Sequence, residues 1–176
     1  MNGTDAALER IAQSITAGRP DLAAAEASAL RARAPRNAEA ARLHGIALLQ
    51  AGRVDAALAA LEAARVLAPG SIEVLCNLGS AWLARDDAPR ALAVLEQAAT
   101  LAPSHPAVLN GLANARRAAG DAAGARDAYR AAVQAAPANP GLLCNLAAAE
   151  LALGDAIAAE SAARRVGALS PRHPEG

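Results

Sequence analysis

The residues that could do chemistry in this chain are few, and the sequence scatters them. Histidine occurs at His44, His105 and His173, and cysteine at Cys76 and Cys144. No two of these lie three or four residues apart, the spacing that would put them on one helical face. Neither a metal-ligand cluster nor a thiol beside an imidazole is therefore written here. The one acidic doublet, Asp86-Asp87, falls between two helix-like segments, where capping is the expected role. A glycine-rich phosphate loop and a nucleophile motif are both missing. We expect no catalytic residue, no metal site, no cofactor and no enzyme activity. What the chain does offer is recognition chemistry. Asn110, Asn114 and Arg117 stand at i, i+4 and i+7, on one face of a helix. Asparagine supplies both donor and acceptor, which suits an extended peptide backbone.

Composition narrows the partners. All seventeen basic residues are arginine and they balance seventeen acidic ones, so the formal net charge is zero. Nucleic acids and anionic membranes are bound through a basic excess that displaces counterions, and neither is expected as a partner. The chain is 54% hydrophobic but has one Trp, one Tyr and no Phe, with alanine dominant. Alanine is the best helix former and adds little volume, so a core built from it consists of closely approached helices. The arginine-for-lysine, alanine-rich usage also points to a GC-rich bacterial genome. Residues 1–13 carry Asp5, Glu9 and Arg10 and lack the apolar stretch of a secretory signal. The longest uncharged run, 131–149, is interrupted by Pro137, Pro140 and Gly141, which would break a membrane-spanning helix. A soluble cytoplasmic protein is expected.

A period organises the chain. Pro35, Pro69, Pro103, Pro137 and Pro171 are each 34 residues apart, a spacing shared by Gly18, Gly52, Asp86, Gly120 and Gly154. A third register, Ala23, Ala57, Ala91, Ala125 and Ala159, is alanine throughout. Apolar residues between these markers recur at three and four, as in Leu75, Leu78 and Trp82, so each unit reads as two helices. First helices are expected at 4–16, 38–51, 72–85, 106–119 and 140–153. Second helices are expected at 20–33, 54–67, 88–101, 122–135 and 156–169. Asp55, Asp87, Asp121 and Asp155 suit helix N-termini, and the five prolines end second helices.

The segments 52–69 (GRVDAALAALEAARVLAP), 86–103 (DDAPRALAVLEQAATLAP) and 120–137 (GDAAGARDAYRAAVQAAP) resemble second halves of tetratricopeptide repeats. Leu75-Cys-Asn-Leu-Gly79, Leu109-Asn-Gly-Leu-Ala113 and Leu143-Cys-Asn-Leu-Ala147 resemble first halves. The resemblance covers five repeats, 4–37, 38–71, 72–105, 106–139 and 140–173, within one array spanning 1–176. Residues 174–176 read as the start of a further repeat. It implies an all-α fold, an α-solenoid of tandem helix-turn-helix repeats in a right-handed superhelix, whose stability comes from stacking neighbours. The first repeat departs from the pattern at Arg10 and Ile11, which suggests outer-face residues on a terminal unit.

The same resemblance assigns the function of a protein-interaction scaffold that holds a partner peptide or protein segment in a concave groove lined by first helices. At roughly 10 Å per helical layer that groove is on the order of 50 Å long. Its implied contact residues are Arg42, Ile46, Cys76, Ser80, Asn110, Asn114 and Arg117. Relatives that clamp a peptide carboxylate use Lys and Asn in successive repeats; this chain has no Lys, so that mode is not expected. Cys76 and Cys144, two repeats apart, exceed the ~7 Å Cα separation that a disulfide requires. Trp82 and Tyr129 fall on internally packed positions, and His44 replaces a core leucine. An alternative is that the array is the N-terminal recruitment module of a larger enzyme, such as a sulfotransferase, glycosyltransferase or hydroxylase. Ile157, Val166 and Leu169 on the last helix suggest self-association through the C-terminal repeat.

Overall fold

The structure is a computed structural model, and it describes residues 3–169. Ten helices and no strand occur among the described residues: α1 Gly3–Thr16, α2 Pro20–Arg33, α3 Ala38–Gln50, α4 Val54–Leu67, α5 Ile72–Ala84, α6 Ala88–Leu101, α7 Pro106–Ala118, α8 Ala122–Ala135, α9 Pro140–Ala152 and α10 Ala156–Leu169. The second helices begin and end where the sequence put them, and the first helices agree within one residue at each end. Residues 174–176, read as the start of another repeat, lie outside the described residues.

The periodic loop residue sets the turns. Gly18, Gly52, Gly120 and Gly154 take φ between +66° and +84°, and Asp86 takes φ +63° in the same place. This left-handed geometry is open to glycine and strained for other residues, with aspartate among the better tolerated. Caps follow. Asp87, Asp121 and Asp155 accept hydrogen bonds from the backbone N–H of Arg90, Gly124 and Ala158 at 3.0, 2.8 and 3.0 Å. Asn37, Ser71 and Asn139 cap first helices in the same way. Asp55 instead sits in the first turn of α4 and pairs with Arg85.

The chain forms two compact units, Met1–Val94 and Leu95–Gly176, with the boundary inside α6. In the first, α1 to α5 pack in series, and α3 also touches both α1 and α5. First helices thus meet one another along one side of that stack. In the second, α7, α8, α9 and α10 pack in series.

Packing rests on a large-against-small rule. Ala23, Ala57, Ala91 and Ala125 are at most 1% exposed. At Gly45 an added Cβ would lie 2.5 Å from Leu61 Cγ and 3.3 Å from the Ala57 carbonyl oxygen, so α3 and α4 touch because position 45 has no side chain. In the first repeat the pair is reversed: Ile11 stands where Gly45 does, and Ala27 where Leu61 does. Ile11 is fully buried in one cluster with Ala27. The expectation of an outer-face Ile11 is therefore wrong, because its bulk fills the space that Ala27 leaves. Arg10 is exposed as expected and pairs with Glu26 at 3.2 Å. His44 is half-buried and shares a 2.9 Å hydrogen bond with Arg31.

Candidate functional site

The residues expected to line a groove fall into two sets, one in each compact unit. In Met1–Val94, Arg42 is held by its own helix: its guanidinium donates to both Glu39 oxygens, at 2.7 and 2.6 Å. That bond, opposed by burial, raises the arginine above its ordinary value. The Ser80 hydroxyl donates to the Cys76 carbonyl oxygen at 3.0 Å. Ile46 is half-buried against the alanine core. Burial, helped by the charge of Glu73, pushes the Cys76 thiol up to about 11, so it stays protonated and is a poor nucleophile. The polar groups of this set, Arg42 and Ser80, are thus engaged internally.

The set in Leu95–Gly176 is arranged differently. Asn110, Asn114 and Arg117 share a face of α7, as the spacing required. The buried Tyr129 on α8 donates its hydroxyl to Asn114 Oδ1 at 2.5 Å. From α9, Asn145 Nδ2 donates to Asn110 Oδ1 at 3.0 Å. Each of these α7 carbonyl oxygens thereby accepts a bond from a neighbouring helix, while the NH2 groups of Asn110 and Asn114 make no bond of their own among the described residues. Asn145 Oδ1 remains as an acceptor. Arg117 has no acidic partner among the described residues, and with Tyr129, Asn145, Ala148 and Ala152 it lines a depression. On α9, Cys144 is exposed and Leu151 is 64% exposed. Within the depression Arg117 offers a cation, Tyr129 and Asn145 offer polar groups, and Ala148 and Ala152 offer small apolar surface.

Sequence reasoning missed two members of this arrangement. Asn145 was readable: it is flanked by the same Leu-Cys and Leu residues as Asn77, two repeats earlier. The residue 35 before Asn77 is Arg42, which can only donate, and Asn77 Nδ2 is buried without a partner. The residue 35 before Asn145 is Asn110, which accepts. Tyr129 is core, as expected, but its hydroxyl orients Asn114. No group of three or more His, Cys, Asp or Glu that could hold a metal ion occurs among the described residues.

Known proteins share this architecture. Residues 15–72 and 76–140 match the tetratricopeptide repeat family. The chain belongs to that family. Its fold is accordingly a helical solenoid of tandem helix-turn-helix repeats. Among solved structures it is similar to TTC0263, a thermophilic tetratricopeptide repeat protein of Thermus thermophilus, at 19% identity and TM-score 0.89 over 97% of this chain and 93% of that one. It is also similar to residues 41 to the end of MamA from Desulfovibrio magneticus RS-1, at 19% identity and TM-score 0.75, covering 100% and 99%. Another MamA structure aligns at 21% identity and TM-score 0.72 over 96% and 95%. No curated protein sequence matches the chain. Among the described residues no helix is long and apolar enough to cross a membrane.

Proposed function

We propose that this chain is a non-catalytic protein-interaction scaffold, and that it seats a partner peptide on the α7–α9 face of its second unit. The observation that carries this reading is the pair of bonds that Asn110 and Asn114 accept from Asn145 and Tyr129. The α7 acceptors are thus occupied from within and the α7 donors are left for a partner, beside an acceptor on Asn145 and a cation on Arg117. An extended peptide offers alternating carbonyl acceptors and N–H donors, which is the complement of that array. Ala148, Leu151 and Ala152 take an apolar side chain, and Arg117 takes a carboxylate. Arg42, Ile46, Cys76 and Ser80 supply surface in the first unit without a comparable donor array.

Selection from a phage-displayed random peptide library tests the reading. Selected peptides should combine an acidic residue with apolar neighbours. Asn114→Asp is the discriminating variant, since it keeps an acceptor for Tyr129 and replaces the NH2 donor with a negatively charged oxygen that also repels an acidic peptide. A central polar contact is worth about 1–3 kcal/mol, so affinity should fall roughly tenfold or more, with melting unchanged. Gln97→Ala, at an exposed position on α6, should leave affinity as it was. Peptides that bind Asn114→Asp and Arg117→Ala as tightly as the parent chain would refute this site.

A further inference from the structure

The outer face of α10 is unlike the surfaces so far described. Ile157 is 84% exposed, the most exposed large apolar side chain among the described residues. It occupies the register that holds Asp21 and Asp55 in the first two repeats, where each acid pairs with an arginine of the following repeat, Arg53 and Arg85. Repeat five thus places a large aliphatic group where the first two repeats place a charge and the next two place Pro89 and Ala123. Around it, Glu160, Ser161, Arg164, Arg165 and Ala168 complete a shallow depression made by this one helix.

We infer that this face binds a second copy of the same chain, with two α10 helices packed antiparallel about a two-fold axis. The charge pattern selects that occupant. A two-fold axis between residues 162 and 163 sets Ile157 against Ala168 of the partner subunit, Ser161 against Arg164 of the partner subunit and Glu160 against Arg165 of the partner subunit. Each of these contacts is made twice, as an isologous interface requires. Glu160 uses one oxygen for Arg164 on its own helix, at 2.8 Å, and keeps the other for the partner's Arg165. Arg165 has only a long 3.4 Å contact to the Pro137 carbonyl oxygen and no acidic partner among the described residues. Parallel packing would instead place Glu160 against the partner's Glu160 and arginine against arginine, which is repulsive. The small Ser161 and Ala168 let the helix axes approach. A 14-residue helix is about 21 Å long. One such pair buries well under the ~1,600 Å² of a standard stable interface. The dimer is therefore a weak one. This inference is independent of the peptide-binding face on α7 and α9, and either can fail alone.

Sedimentation equilibrium of the full chain with charge-reversal variants tests it. The parent chain should show a monomer–dimer equilibrium below about 500 µM. Glu160→Arg alone and Arg165→Glu alone should each raise the dissociation constant at least tenfold, because each sets like charges against one another twice. An equimolar mixture of the two variants should form a heterodimer at least as well as the parent chain, since both contacts become opposite-charge again. Helicity by circular dichroism should be unchanged throughout, as both positions are exposed. A parent chain that stays monomeric at 500 µM would overturn the inference. So would a dimer indifferent to both reversals, which would lie on another surface. Reversals that abolish the dimer without recovery in the mixture would overturn the two-fold pairing, and leave α10 as a site for a different protein.

Discussion

Replacing Gly45 with alanine tests whether the repeats are built on exchange of bulk across one contact. Elsewhere in a helix, glycine to alanine gains about 1 kcal/mol of helix propensity. At Gly45 the new Cβ would lie 2.5 Å from Leu61 Cγ and 2.8 Å from Leu61 Cδ2, both fully buried. Overpacking of that kind costs about 1–3 kcal/mol, so the net effect should be destabilisation of up to ~2 kcal/mol. Leu61→Ala alone empties a buried leucine site and should cost about 2–5 kcal/mol. The informative variant combines Gly45→Ile with Leu61→Ala, which copies the Ile11 and Ala27 arrangement of the first repeat into the second. If bulk is exchangeable, the double variant should be at least ~2 kcal/mol more stable than the sum of its single changes. Urea unfolding of the four proteins in the cycle measures this coupling. Additivity within about 0.5 kcal/mol would refute the exchange rule, and would mean that Ile11 and Ala27 are tolerated for unrelated reasons.

Three further outcomes are expected. Asp86→Gly relieves a left-handed residue with a side chain, and should raise stability by about 1 kcal/mol in thermal melts, whereas Gly52→Ala should lower it by a similar amount. His44 is held below the ordinary histidine value by burial and then by the nearby charge of Arg31. Its neutral form therefore contributes stability that is present above about pH 6.5 and is lost as pH falls through the lower folded value. His44→Leu, which restores the residue found at Leu78 and Leu112, should flatten the urea midpoint between pH 7.5 and 5. A thiol reagent at pH 8 should label exposed Cys144 first and half-buried Cys76, whose thiol is pushed up by burial, more slowly; equal rates would contradict that difference.

Helix positions were legible because the residues that set them act locally. A proline ends a helix and a left-handed glycine makes a turn whatever surrounds them, and both recur every 34 residues. Side-chain environment was less legible where it depends on the opposite helix. Ile11 looks like a misplaced residue until Ala27 is seen to leave room for it. Asn110 and Asn114 were found by spacing on one helix, but what orients them, Asn145 and Tyr129, comes from two others. On α10, Ile157, Val166 and Leu169 look like one stripe, yet Val166 packs inward against the α8–α9 core while Ile157 and Leu169 stay exposed. The three residues do not share a face.

The ion pairs from Asp21 to Arg53 and from Asp55 to Arg85 join consecutive repeats of the first unit at solvent-exposed positions. Exposed pairs of this kind are worth at most about 1 kcal/mol each and weaken as salt screens them. The alanine seam between the helices, by contrast, is apolar and indifferent to ionic strength over the same range. Mechanical resistance to prying two neighbouring hairpins apart is thus unevenly distributed: stiff along the seam, compliant at the turns. Raising salt should soften only the second of these, giving the first unit an elasticity that ionic strength adjusts without unfolding it.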